Sequence, residues 1–145
     1  MGFLRDLFGR KKKILVIEDD AEVASLLTEF IRLNGYEAIR AEDGFRGMQM
    51  VEEAFPDLVL LDIMLPKMNG FDVLLKIKSQ SRTKSVPVLM CSALNGMRDV
   101  EKCCEWGAAG YITKPFDLNR VSRKIDSILN HSGFPKQIPT QENQN

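Results

Sequence analysis

Five short strand-like segments alternate with segments of helical periodicity along this chain. Residues 14–17, 36–41, 58–61, 86–91 and 110–113 are the strand candidates, and the first and third are unbroken Ile, Leu and Val. Each is followed by a helical pattern. Val23, Leu26, Leu27, Phe30 and Ile31 mark the first, ending at Asn34-Gly35. Residues 45–54 form the second, with Asp43 as its cap and Pro56-Asp57 as its stop. Phe71, Leu74, Leu75 and Lys78 line one face of the third, after a loop at 66–70. Residues 97–106 form a weakly amphipathic fourth, and Leu118, Val121, Ile125, Ile128 and Leu129 stripe the fifth. Strands that read as solid apolar runs are buried on both faces, so the pattern predicts a parallel sheet between two layers of helices. Right-handed crossovers make it a doubly wound α/β fold, and ligands of such folds sit beyond the carboxyl ends of the strands.

The residues at those ends carry the chemistry. Glu18 and Asp19 follow the first run, Asp62 the third, Ser92 the fourth and Lys114 the fifth. A parallel sheet gathers them on one edge. Three carboxylates in one place repel unless a cation intervenes. A hard divalent ion, Mg²⁺ with Mn²⁺ as a substitute, suits carboxylates, water and phosphate oxygens. Lys114 adds a second positive centre and Ser92 a hydrogen-bond donor. The set fits a phosphoryl group. The chain has no glycine-rich phosphate loop, which makes a carboxylate of the protein itself the phosphate carrier. Asp62 is the central choice, because aspartate can act as a nucleophile and form an acyl phosphate. Asp20 reads as the helix cap beside the pair.

Several function classes are excluded by composition. At 145 residues the chain has room for one ordinary domain and short tails. Lys plus Arg and Asp plus Glu are 20 each, so net charge gives no case for nucleic-acid binding. No apolar run approaches the roughly 20 residues of a membrane span. Cys91, Cys103 and Cys104 read as reduced thiols, and they have neither a disulfide framework nor zinc spacing.

Four segments then carry a resemblance: Ile-Glu-Asp-Asp at 17–20, Leu-Leu-Asp-Ile-Met-Leu-Pro at 60–66, Cys-Ser-Ala at 91–93 and Tyr-Ile-Thr-Lys-Pro-Phe at 111–116. Asp62 follows Asp19 by 43 residues, Ser92 follows Asp62 by 30, and Lys114 follows Ser92 by 22. From about 13 to 130 the chain resembles the receiver domain of two-component response regulators, in a stand-alone form like the chemotaxis regulator. The resemblance implies a flavodoxin-like (βα)5 three-layer sandwich with strand order 2-1-3-4-5. It implies that Asp62 accepts a phosphoryl group from a histidine kinase or phosphotransfer protein. Glu18, Asp19, Asp62 and the main-chain carbonyl of Met64 would hold Mg²⁺, and Lys114 would contact the phosphoryl oxygens. Ser92 and Tyr111 would form the switch, coupled to the face of the fourth helix, fifth strand and fifth helix, where an unknown downstream protein would bind. Met64 and Leu94 would tune the phosphoryl lifetime. Neither side chain can orient an attacking water, so slow self-dephosphorylation is expected. The Lys114–Pro115 bond is expected to be cis.

The rest follows as expectations. Residues 1–12 form a basic amphipathic extension, 13–130 the receiver, and 131–145 a polar, disordered tail with no output domain. Direct DNA control is not expected. Gly110 also stands where the DNA-binding subfamily carries an acid of its dimer face. On a helix Phe3, Leu4, Leu7 and Phe8 share one side, followed by Lys11, Lys12 and Lys13. That pattern fits weak contact with a membrane or a partner groove. A cytoplasmic protein results, with membrane-peripheral placement open. The function is phosphorylation-dependent protein–protein signalling, not enzymatic turnover. The alternatives are a phosphorylation-independent receiver-fold adaptor and, ranked lower, an aspartyl phosphohydrolase. The phosphohydrolase would want a second Asp where Met64 stands.

Overall fold

In the computed structural model, which describes residues 10–130, β1 (Lys13–Ile17), β2 (Glu37–Ala41), β3 (Leu58–Leu61), β4 (Val88–Ser92) and β5 (Gly110–Thr113) form one parallel sheet in the order β2-β1-β3-β4-β5. Between and after them run α1 (Ala21–Leu33), α2 (Gly44–Ala54), α3 (Gly70–Ser79), α4 (Met97–Glu105) and α5 (Leu118–Leu129). This is the flavodoxin-like α/β fold.

Successive strand side chains point to opposite faces, and this divides the interior into two cores. Leu15, Ile17, Val59, Leu61, Val88 and Met90 pack with Val51 of α2, Val73, Leu74 and Ile77 of α3, and Cys103 of α4. Ile14, Val16, Leu58, Leu60, Leu89 and Ile112 pack with Leu27 and Ile31 of α1 and Val121 and Ile125 of α5. Both faces of the sheet centre are therefore covered, which is why β3 is apolar throughout and β1 and β4 nearly so, while the edge strands β2, with Glu37 and Arg40, and β5, with Thr113, are not.

Helix starts follow the capping rule except at α4, where Gly96 stands before the helix and makes no side-chain cap bond. Asp20 accepts from the amides of Glu22 and Val23 at 2.9 and 3.1 Å, and Asp43 accepts from Arg46 at 2.8 Å. Asn69 caps α3 by accepting from Asp72 at 3.0 Å, so Gly70, expected in the loop, is the first residue of the helix. Gly35 ends the α1 turn with φ +94°.

Two helix faces differ from the expected stripes. In α1 the buried residues are Ala24, Leu27, Thr28 and Ile31, and Leu26 is 49% exposed. In α3 they are Val73, Leu74 and Ile77 together with Gly70, and Leu75 is exposed. A residue one step beyond a buried position is turned by about 100°, so an apolar neighbour there faces outward. Lys78 lies on the flank of the α3 stripe with its stem half-buried. Its ammonium donates to the carbonyls of Lys84 and Val86 at 3.0 and 2.6 Å, tying down the loop before β4. β4 begins at Val88 and runs through Ser92, two residues later at its start and one later at its end than the apolar run.

Phe3, Leu4, Leu7, Phe8, His131 and the rest of 131–145 lie outside the described residues. Lys11 and Lys12 are exposed. Lys13, expected in the free basic run, is instead the first residue of β1. Its amide donates to Asp57 at 2.7 Å and its ammonium to the Ala54 carbonyl at 3.3 Å. An ammonium bound to the last carbonyl of α2 is not available as an anchor. Among the described residues no helix is long and apolar enough to cross a membrane.

Candidate functional site

Parallel register brings the strand ends together. Ile17 of β1 is paired with Leu61 of β3, so Glu18 and Asp62 leave the sheet side by side. On the other flank Ser92 of β4 is paired with Thr113 of β5, and the Lys114 amide donates to the Ser92 carbonyl at 2.8 Å. The sequence-predicted acids, hydroxyl and ammonium thus share one edge.

Lys114 is the hub. Its Nζ donates to Glu18 Oε1 at 2.8 Å and to Asp62 Oδ2 at 3.1 Å. Asp62 is only 5% exposed, and its second oxygen, Oδ1, accepts from the Met64 amide at 3.1 Å. Glu18, at 3% exposure, accepts from the Asp20 amide through Oε2 at 3.2 Å. Both oxygens of Glu18 are therefore held by the chain itself. Asp19 is exposed, and among the described residues nothing donates to its carboxylate. One carboxylate oxygen each from Glu18, Asp19 and Asp62 lies within 4.8 Å of the others.

Three acids against one ammonium leave the cluster short of positive charge. Burial pushes the Glu18 carboxyl above its usual range; the Lys114 bond works against that rise and the nearby Asp62 charge adds to it. Burial by itself would lower the Lys114 ammonium, but the hydrogen bond to Glu18 and the charge of Asp62 together outweigh it and raise it. The donors are all hard oxygens, and a hard divalent ion such as Mg²⁺ fits that set. Asp19 offers the free carboxylate, and Asp62 and Glu18 offer theirs in exchange for bonds to Lys114. Met64 is 57% exposed.

Ser92 and Tyr111 meet on one residue. Ser92 is fully buried, and its Oγ accepts from the Leu94 amide at 3.4 Å. Tyr111 is half-buried, and its hydroxyl donates to the Leu94 carbonyl at 2.6 Å. Burial raises the Tyr111 phenol to about 12. The Lys114–Pro115 peptide is cis.

Two supporting residues were not expected from the sequence. Gly70 brings the start of α3 against the loop that follows Asp62. Its amide donates to the Ile63 carbonyl at 2.8 Å, and a Cβ there would collide with the Asp62 carbonyl oxygen. Arg40, near the end of β2, donates to the Glu18 carbonyl through Nε at 3.2 Å and Nη2 at 3.0 Å, and to the Asp19 carbonyl through Nη2 at 3.1 Å. A lone arginine in a strand has no motif; only three-dimensional proximity reveals it.

The family model described as "Response regulator receiver domain" matches residues 14–126. The DNA-binding dual master transcriptional regulator RpaA of Synechocystis is 36% identical over 117 residues, 81% of this chain and 48% of that protein. The transcriptional regulatory protein CpxR of Escherichia coli is 36% identical over 131 residues, 90% of this chain and 55% of that protein. The chain thus spans about half the length of the curated relatives it matches. Among solved structures, a CheY-like response regulator receiver domain protein from Methanospirillum hungatei superimposes with a TM-score of 0.78 at 26% identity, covering 83% of this chain and 95% of that one. With its strand order, its acidic edge and these matches, the chain belongs to the response regulator receiver family, whose members are phosphoacceptor signalling proteins.

Proposed function

We propose that the protein accepts a phosphoryl group on Asp62 and signals through the protein contacts that this changes. One observation carries the reading: a nearly buried aspartate held at 3.1 Å by Lys114, next to two further carboxylates on the carboxyl edge of a parallel sheet. In the reaction an Asp62 carboxylate oxygen attacks phosphorus. The bond from phosphorus to the donor's imidazole nitrogen breaks, and the nitrogen keeps the electron pair. Lys114 then moves its hydrogen bonds to the phosphoryl oxygens, where the added charge is greatest. Asp19, Asp62, Glu18 and the Met64 carbonyl would hold Mg²⁺, or Mn²⁺ in its place, which would supply neutralising charge to the same oxygens.

Donor access has a physical basis. Beside Lys114 an apolar groove of about 420 Å³ is lined by Val23, Leu26, Ala93, Pro115 and Phe116. A histidine kinase or phosphotransfer helix laid there would bring its imidazole to the site edge. Output runs the other way. Ser92 Oγ turns from the Leu94 amide to the phosphoryl group, and the Tyr111 contact with the Leu94 carbonyl changes with it. Leu94 leads into α4, so the α4-β5-α5 face alters its affinity for a downstream protein. The self-hydrolysis rate is low, because neither Met64 nor Leu94 offers a polar side chain to an attacking water.

The test is intact-mass measurement after incubation with acetyl phosphate and Mg²⁺. A single phosphate adduct is expected, absent with EDTA and absent in Asp62→Asn. After removal of donor the adduct should persist in Mg²⁺ without a phosphatase, and its rapid loss would remove the slow-hydrolysis reading. If acetyl phosphate yields no adduct and beryllofluoride yields no change, the phosphorylation-independent adaptor takes the place of this function.

A further inference from the structure

The turn between β1 and α1 has a weak point. The β1–β2 pairing ends at Ile17 opposite Ala41, and the Glu18 amide makes one last bond, to the Ala41 carbonyl at 3.0 Å. The helix takes over at Asp20, whose carbonyl accepts from Ala24 at 2.9 Å. Between these points the carbonyls of Glu18 and Asp19 belong to neither ladder. Arg40 takes both, with three hydrogen bonds at 3.0–3.2 Å. The fork of the guanidinium suits this, since its donors are fixed in one plane. Asp19 needs such support more than its neighbours do. The Glu18 side chain is bonded to Lys114 and to the Asp20 amide, and Asp20 caps α1, while the exposed Asp19 carboxylate is positioned only through its own backbone.

We propose that Arg40 is a positioning residue for divalent-cation binding: by clamping the Glu18 and Asp19 carbonyls it holds the Asp19 carboxylate in the cluster with Glu18 and Asp62. This rests on the reading of that cluster as the cation site. Two effects of Arg40 oppose each other, which makes the idea sharp. A fixed positive charge beside the acids repels an incoming cation, so charge alone predicts that neutralising Arg40 tightens cation binding. Positioning predicts the reverse, because a loosened turn must be ordered again on binding. Groups that orient metal ligands are worth about tenfold or more in affinity, and we expect positioning to win.

The experiment titrates the whole chain with Mn²⁺ alone and follows the electron paramagnetic resonance signal of the free ion. Wild type, Arg40→Gln, Arg40→Lys and Asp19→Asn are compared, each with a thermal melt. Arg40→Gln should weaken Mn²⁺ binding about tenfold. Arg40→Lys, which keeps the charge but not the fork, should weaken it similarly. High Mn²⁺ should restore acetyl phosphate labelling in both variants. Binding in Arg40→Gln that is unchanged or tighter overturns the proposal. A lowered melting temperature with an unchanged dissociation constant in Arg40→Lys does so too, since it marks a purely structural role. Asp19→Asn separates the two levels. If it weakens binding and the Arg40 variants do not, only the Arg40 inference falls. If wild type does not deplete free Mn²⁺, or Asp19→Asn binds as wild type does, the cation-site reading falls and takes the inference with it.

Discussion

Leu60 and Asp62 are two residues apart, nearly equally buried, and opposite in what their burial does. Leu60 lies in β3 at the centre of the sheet, opposite Val16 of β1 and Leu89 of β4, with α1 and α5 covering that face. Asp62, one residue past the end of β3, is 5% exposed and carries a charge. The strand body gains from leaving water. The strand end loses by it and is held by a specific ammonium, a specific amide and the glycine that lets α3 approach. Packing therefore builds the edge, and the edge then carries groups that packing alone would reject. Buried, imperfectly balanced charge of this kind is where stability is exchanged for function.

Single substitutions at the two residues should act in opposite directions. Leu60→Ala should cost about 3–4 kcal/mol of folding stability in urea unfolding, as a cavity in a two-sided core does. A cost below about 1 kcal/mol would mean that the sheet centre is not the stability core. Asp62→Asn should act in the other direction. In EDTA it relieves the repulsion with Glu18 and leaves the 2.8 Å Glu18–Lys114 pair intact, so stability should rise by about 1 kcal/mol. A loss as large as that of Leu60→Ala would show that Asp62 is a structural residue first.

The tyrosines extend the comparison to both edges of the sheet, with the smallest effect. Tyr36 sits just before β2 and donates to Asp126 at 2.6 Å; burial first and Asp126 second raise its phenol from 10.0 to about 12. Tyr111 reaches about 12 mainly through burial. A raised pKa means that the folded state holds the proton more tightly. Each phenol's contribution is therefore complete below its ordinary value of 10.0 and is lost as pH rises through about 12. The chain has two tyrosines, so ultraviolet absorbance of tyrosinate is a direct readout. Little should form at pH 10.0 in the folded protein, and half-ionisation there would contradict the contacts made by both hydroxyls.

The strand bodies were legible because a strand buried on both faces must be apolar, and the site was legible because a parallel sheet delivers its strand ends to one edge. Asp20 and Asp43 were readable as caps because the cap uses the residue's own side chain. What escaped was whatever depends on partners distant in sequence. Arg40 acts on backbone carbonyls 21 and 22 residues away, and carbonyls are the same in every residue. Gly70 matters through a steric approach to Asp62 that its loop-like neighbours disguise. Periodicity indicated that α1 and α3 are amphipathic but not how wide the buried stripe is, so Leu26 and Leu75 were placed inward and lie outward. Lys13 looked like the third of three free cations because a charge run does not show where the first strand begins.

On the proposed function Asp62, and no other acid of the edge, forms the phosphoryl bond. The most direct test is borohydride reduction of protein treated with acetyl phosphate and Mg²⁺, followed by peptide sequencing. Reduction of an acyl phosphate turns that aspartate into homoserine. Homoserine is expected at position 62 alone, with none in an EDTA control. Homoserine at position 19, the matching reduction product at Glu18, or an adduct that survives in Asp62→Asn would contradict it.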